Sequence, residues 1–285
     1  TEANNLALLG AAGASGDVLV SAVEHPSVAE ARRVLGERVR VLAVDASGRV
    51  DPAAVSPAIG PATRLVSVMW ANNETGVIQP VAEIGAIARA AGVLMHSDAV
   101  QAVGHLPVDF GGSGLDLLSL SGHKLGGPVG IGALLVRRGV TLAAPGFGGG
   151  QEAKLRSGTV PVALAVGLAA ALREATSRLA EEAVRLAGLG RRLIAGMTAL
   201  EGVVVNTTAP ASPAIAADTA AGIAADGAGE AGGVTLSSID ELARRLRDGA
   251  VGRQVAVFGT APDGRTTQAA IAVARLLSRD SLVVL

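Results

Sequence analysis

The sequence has no cysteine, no tyrosine, one tryptophan and three phenylalanines. Absence of a thiol excludes disulfides, thiolate metal sites and a cysteine nucleophile together. Scarcity of aromatic rings removes the stacking platforms that hold single-stranded nucleic acid. Charge does not compensate: 24 basic residues against 25 acidic ones leave a net charge of −1 and no basic footprint, so no nucleic-acid partner is expected. Long apolar runs are missing too. The longest, Val160 to Leu172, is interrupted by Pro161 and Gly167 and stops at Arg173, which falls short of a membrane span; no membrane association is expected. No basic, apolar leader opens the chain, which begins at Thr1 rather than Met, so the start reads as cut or processed and the protein as cytoplasmic. His96 and His105 lack partners at metal-ligand spacing, so both read as structural and no metal is expected.

What remains is an Ala-, Val- and Leu-rich chain of 285 residues, 49% hydrophobic with a mean hydropathy of +0.46, which can bury one large core or two ordinary ones. From Asp17 to Val136, apolar β-type runs alternate with helix-period stretches, the pattern of a parallel sheet covered by helices on both faces. The predicted strands are "DVLVSAV" (17–23), "VRVLAV" (39–44), "RLVSVMW" (64–70), "GVLMHSD" (92–98), "LDLLSLS" (115–121) and "IGALLVRR" (131–138). Between two of them, "PVAEIGAIARAAG" (80–92) carries Pro near its start and Gly at its end, which are helix boundary signals.

From Pro161 to Leu200 the pattern turns helical, with charges of both signs on a solvated face. The stretch 207–236, rich in Ala and Gly, loses periodicity and reads as a linker. Beyond it, Ser238 and Glu241 form a capping box for a short helix ending at Gly249. A strand, a glycine loop, a helix and the start of another strand follow, so both termini read as truncated.

In an α/β sheet the residues after the strands converge on one crevice. Here they are Glu24 and His25, then Asn72, Asn73 and Glu74, then Asp98 and Gln101, then Ser121, His123 and Lys124. A lysine beside a carboxylate, a glutamine and two imidazoles is what a pyridoxal phosphate site needs: the amine takes the cofactor aldehyde, and the carboxylate keeps the pyridine nitrogen protonated. The small residues around Lys124 predict a dry pocket, which favours the neutral amine. Read alone, His25 suits a cap, Asp98 suits an N-cap, and Asn72 and Glu74 suit a turn.

Six ordered stretches, "TEANNLALLG", "SAVEHPSV", "WANNETGVIQP", "HSDAVQAVGHLPVDF", "DLLSLSGHKLGGPVGIGAL" and "GGGQEAKLRSGTVPV", together resemble the cysteine desulfurases of the class V aminotransferase family, which are pyridoxal 5'-phosphate enzymes of fold type I. The resemblance implies a large domain over 1–206 built on a mostly parallel, seven-stranded-type sheet with helices on both faces, followed by long helices. It implies that Lys124 is the Schiff-base lysine and that His25, stacked on the ring, shares the catalytic positions. Asp98 would pair with the pyridine nitrogen and Gln101 with the ring hydroxyl oxygen, while Asn73 would contact the substrate carboxylate and the ring edge. Thr1, Ser121 and His123 would hold the phosphate, Thr1 at a helix N-terminus that suits an anion. Thr159 would reach the phosphate of a neighbouring subunit, implying a homodimer through that face and an amino-acid substrate of the cysteine class.

Three departures accompany the resemblance. The family's N-terminal segment is missing, its small domain with the substrate-binding arginine is not recognisable beyond about residue 206, and its persulfide-carrying cysteine has no counterpart. The sulfur-transfer half of the family's reaction, used for iron-sulfur cluster assembly, is therefore not expected, while the cofactor half is.

A second motif, "GTAPDGRTT" (259–267), has Gly259, Gly264 and Thr266 at Walker A spacing within a truncated βα fragment over 237–285. It resembles the degenerate nucleotide loop of polysaccharide-biosynthesis tyrosine kinases, with Arg265 at the lysine position, and ATP hydrolysis is not expected. "GFGGGQ" (146–151) fails the dinucleotide pattern at Gln151. Two other readings stay open at this point: an inactive fused fragment with a structural or binding role, and nucleotide binding at 259–267.

Overall fold

The computed structural model describes residues 1–199, 202–205 and 223–225. Most of the predicted linker, the capping box at Ser238 and the glycine loop at 259–267 lie outside the described residues. The chain divides into two compact units, one of Thr1–Asn72 with Val77–Glu181, the other of Asn73–Gly76 with the chain from Glu182 onward.

All six predicted strands form. In the first unit β1 (Asp17–Ser21), β2 (Val39–Leu42), β3 (Thr63–Ser67), β4 (Leu94–Asp98), β5 (Leu117–Ser121) and β6 (Gly132–Val136) make one sheet of order β2-β1-β3-β4-β5-β6. The first five run parallel and β6 is antiparallel to β5. Each strand is shorter than its apolar run, yet pairing persists past β3: Val68 N–H donates to His96 O at 3.1 Å and Trp70 N–H to Asp98 O at 2.9 Å. The family resemblance implied a seven-stranded-type sheet; among the described residues the sheet of the first unit has six strands.

Helices cover both faces, as period-2 alternation requires. Val18 and Val20 of β1, Leu65 of β3 and Leu117 of β5 share one core with Ala7, Leu8 and Ala12 of α1 (Glu2–Ala12). The intervening residues, Leu19, Val66, Met95 and Leu118, are equally buried on the opposite face. There α5 (Val81–Ala90) packs, and a methyl added at its Gly85 would meet Met95 at 3.8 Å. Pro80 precedes α5 and Gly92 follows it, as the boundary signals predict.

The short α2 (Pro26–Ala29), α3 (Arg32–Leu35) and α4 (Val55–Ala58) fill connections. The predicted helical stretch becomes α6 (Val162–Ser177) and α7 (Leu179–Thr198), separated at Arg178. Its mixed charges do lie at the surface: Arg178 pairs with Glu174 at 3.7 Å, and Arg185 with Glu182 at 2.6 Å. Such exposed pairs contribute little stability. Among the described residues no helix is long and apolar enough to cross a membrane.

In the second unit β7 (Val203–Val205) pairs antiparallel with β8 (Ile223–Ala225). β8 falls within the stretch read as a linker. Three residues, two of them alanine, offer no alternation for a sequence reading to detect.

Candidate functional site

The central strands β4 and β5 bring their carboxyl ends side by side, with Asp98 in register with Ser119. Asp98 is 5% exposed. Its Oδ2 accepts from Asn4 Nδ2 at 2.6 Å and its Oδ1 from Val100 N–H at 2.9 Å. The second bond caps the turn after β4; a turn, not a helix, follows Asp98.

Asn4 comes from the buried face of α1 and is 1% exposed. Its amide also donates to Ser27 Oγ at 2.8 Å. Ser27 lies 2.8 Å from His25 Nδ1 through its hydroxyl and donates its backbone N–H to the same nitrogen at 3.1 Å. His25 thus caps α2, where its ring nitrogen fills the place usually taken by a Ser or Asp oxygen. One hydrogen-bonded chain, His25–Ser27–Asn4–Asp98, joins the loop after β1 to the end of β4.

Glu24, just before His25, has its carboxyl group inside the protein. Oε1 accepts from Ser21 Oγ at 2.6 Å and from Met69 N–H at 2.8 Å. Oε2 and Asn4 Oδ1 are buried with no hydrogen-bond partner among the described residues. Burial raises the Glu24 pKa to about 8 against these stabilising hydrogen bonds, and the nearby Asp98 charge pushes the same way. Glu24 is therefore protonated at neutral pH.

His96 sits deeper, fully buried on the same sheet face as Asp98, with Nδ1 2.8 Å from Ser67 Oγ and Nε2 2.9 Å from Ser119 Oγ. Burial lowers its pKa to about 3, so it remains neutral and acts as a cross-strand brace.

Lys124 lies in a 3-10 turn, Gly122–Leu125, directly after β5. A Cβ at Gly122 would stand 2.8 Å from Pro128 O and from Ile131 Cγ2, so glycine lets the turn press against the following loop. Gly126 ends the turn with φ 73°, in the left-handed region that favours glycine. In the same group Ser121 Oγ lies 2.8 Å from His123 Nδ1. Partial burial lowers the His123 pKa, as do the Lys124 ammonium and the Thr1 amino group. Thr1 is the N-cap of α1.

The dry pocket predicted around Lys124 is not formed by these residues: Lys124 and His123 are exposed. Small neighbours leave the turn uncovered rather than enclosing it, and it stands beyond the last ladder pair, Ser121–Gly132. Gln101 is half-buried in the turn after Asp98, and Thr159 is exposed ahead of α6. Asn73 belongs to the second unit. Asn72 stitches its loop, donating to Val23 O at 3.0 Å.

Sequence reasoning assigned no part to Asn4 or Ser27. The available signal was an asparagine on the helix face that also carries Ala7 and Leu8, a polar group where the pattern calls for an apolar one.

The model of one family, aminotransferase class-V, matches residues 1–227. The chain belongs to that family. It is 46% identical over 220 residues to an IscS-like cysteine desulfurase of Mycobacterium tuberculosis, covering 72% of this chain and 56% of the relative. It is 44% identical over 216 residues to a cysteine desulfurase of Homo sapiens, covering 72% of this chain and 47% of the relative. Among solved structures it is similar to a NifS-like protein from Rickettsia africae, at a TM-score of 0.70 and 32% identity, covering 74% of this chain and 59% of that one. DndA from Streptomyces lividans gives 0.68 and 40%, covering 74% and 63%. The chain spans about half the length of the curated relatives it matches.

Class V aminotransferases use pyridoxal phosphate. The donor set of this class V chain fits that group: a buried carboxylate for the ring nitrogen, an exposed amine after the adjacent strand, and a hydroxyl–imidazole pair near the N-terminus of α1 for the phosphate.

Proposed function

We propose that this chain carries the pyridoxal phosphate half-site of a cysteine desulfurase-type enzyme acting on an amino acid of the cysteine class. The observation that carries the reading is Asp98, a buried carboxylate fixed by two N–H donors beside the strand that leads to Lys124. When bound, the cofactor supplies an electron sink for the substrate Cα.

The protein side of the chemistry then divides among its residues. Asp98 holds a proton at the ring nitrogen. Lys124 Nζ anchors the cofactor and, once released by substrate, moves a proton at Cα. His25 covers the ring, Gln101 donates to the ring oxygen, and Thr1, Ser121 and His123 bind the phosphate. The cofactor-binding domain spans 1–206. Since these 285 residues include no thiol, sulfur acceptance requires a thiol from elsewhere. Thr159 serves the neighbouring subunit of a homodimer; exposed Val162 (67%) and Val166 (64%) on α6 support an apolar face there.

The test is an absorbance spectrum of the chain with pyridoxal phosphate, with and without borohydride. A band near the visible edge, made permanent on Lys124 by borohydride and absent from Lys124→Ala, is expected. Labelling scattered over surface lysines would sink the reading.

A further inference from the structure

We infer that Asn4 is a positioning residue that locks the Asp98 carboxylate and the His25 imidazole into one frame, with Ser27 as the link. The inference rests on the pyridoxal phosphate reading of Asp98 and His25, and neither Asn4 nor Ser27 is assigned a part by motif.

The direction of every bond can be worked out. An amide rotated the other way would point its carbonyl oxygen at Asp98 Oδ2, 2.6 Å away and bearing negative charge, so the NH2 faces Asp98. The same NH2 donates its other proton to Ser27 Oγ. Having accepted there, the Ser27 hydroxyl donates to His25 Nδ1, which also accepts the Ser27 backbone N–H. His25 Nδ1 is consequently a lone-pair acceptor, and the neutral ring carries its proton on Nε2. Two N–H groups of one side chain thus tie the carboxylate to the Ser27 hydroxyl, and Ser27 in turn fixes the tautomer of the imidazole.

The arrangement is costly to the core. Asn4 Oδ1 is buried without a partner among the described residues, on a helix face where Ala7 and Leu8 pack fully buried against the sheet. An apolar residue would suit packing better, because a buried unsatisfied carbonyl loses its water without a replacement. What the asparagine adds is the pair of donors. They reach Asp98, 94 residues away in the chain, and Ser27, 23 residues away.

Heteronuclear NMR of the full chain without ligand, followed by titration with pyridoxal phosphate, separates this inference from the reading beneath it. Wild type is expected to show His25 protonated at Nε2 and a slowly exchanging Asn4 amide. Ser27→Ala should shift both sets of resonances, and Ser27→Thr, which keeps the hydroxyl, should restore them. In the titration, Asn4→Ala is expected to raise the Kd for pyridoxal phosphate about tenfold, as loss of a hydrogen bond to a charged group does. Ser27→Ala should raise it less, with Ser27→Thr at the wild-type value. A His25 proton on Nδ1 in wild type overturns the frame, as do Asn4→Ala and Ser27→Ala variants that bind like wild type. A wild type with the expected resonances and no uptake of pyridoxal phosphate supports the frame and removes the cofactor reading instead.

Discussion

Glu24 and His96 are titratable side chains held neutral in the interior, and they act on stability in opposite directions. The native state keeps a proton on Glu24 up to about 8, whereas an unfolded carboxyl loses it near 4.5. Between those values the folded form binds more protons, so stability falls as pH rises. His96 is the reverse case: its native pKa of about 3 lies below the ordinary 6.5, so the unfolded state binds more protons in that interval and stability rises with pH. The two slopes cancel between about 4.5 and 6.5. Thermal melts across pH should therefore show Glu24 and His96 offsetting each other there, with a decline toward pH 8 that Glu24→Gln flattens. A decline of equal steepness in Glu24→Gln would mean that Glu24 ionises normally.

At the scale of elements, the turn carrying Lys124 depends on Gly122. A methyl there meets backbone, Pro128 O at 2.8 Å, which cannot rotate away as a side chain would. Gly122→Ala should cost about 1–3 kcal/mol, the usual range for overpacking, and should displace Lys124. Denaturant midpoints and the borohydride label report the two effects separately; an unaffected label would show that the turn absorbs the methyl without moving the amine.

Which elements were legible follows from where their signals reside. Six strands could be read because each apolar run is bounded by turn residues within its own stretch of chain. The positions of Asp98, Ser121 and Lys124 at or just after the ends of β4 and β5 could be read from where the apolar runs stop. Asn4 could not, since its meaning depends on Asp98, 94 residues away, and Ser27 looks like an ordinary helix-start serine. The dryness expected around Lys124 failed for a related reason: glycines beside a lysine permit close packing but do not themselves cover it.

Over the whole molecule, the exposed valines of α6 carry the subunit prediction. Val162 and Val166 lie one turn apart at 67% and 64% exposure, beside the loop bearing Thr159. Sedimentation of the chain should give a dimer, and Val166→Asp should give a monomer with an unchanged far-ultraviolet spectrum. A variant that stays dimeric would put the subunit contact elsewhere.

The frame around Asp98 also bears on how this molecule is assembled in time. Its parts arrive from α1, from the start of α2 and from β4, so the bonds that join these elements are not local. Contacts of long sequence separation form late, because the entropy of closing the chain comes before any reward. A chain halted before α1 docks would have every strand of its sheet and a carboxylate held by the Val100 N–H alone. Affinity for a ligand would then be the last property acquired during folding, and uptake of that ligand would mark the moment the first helix settles.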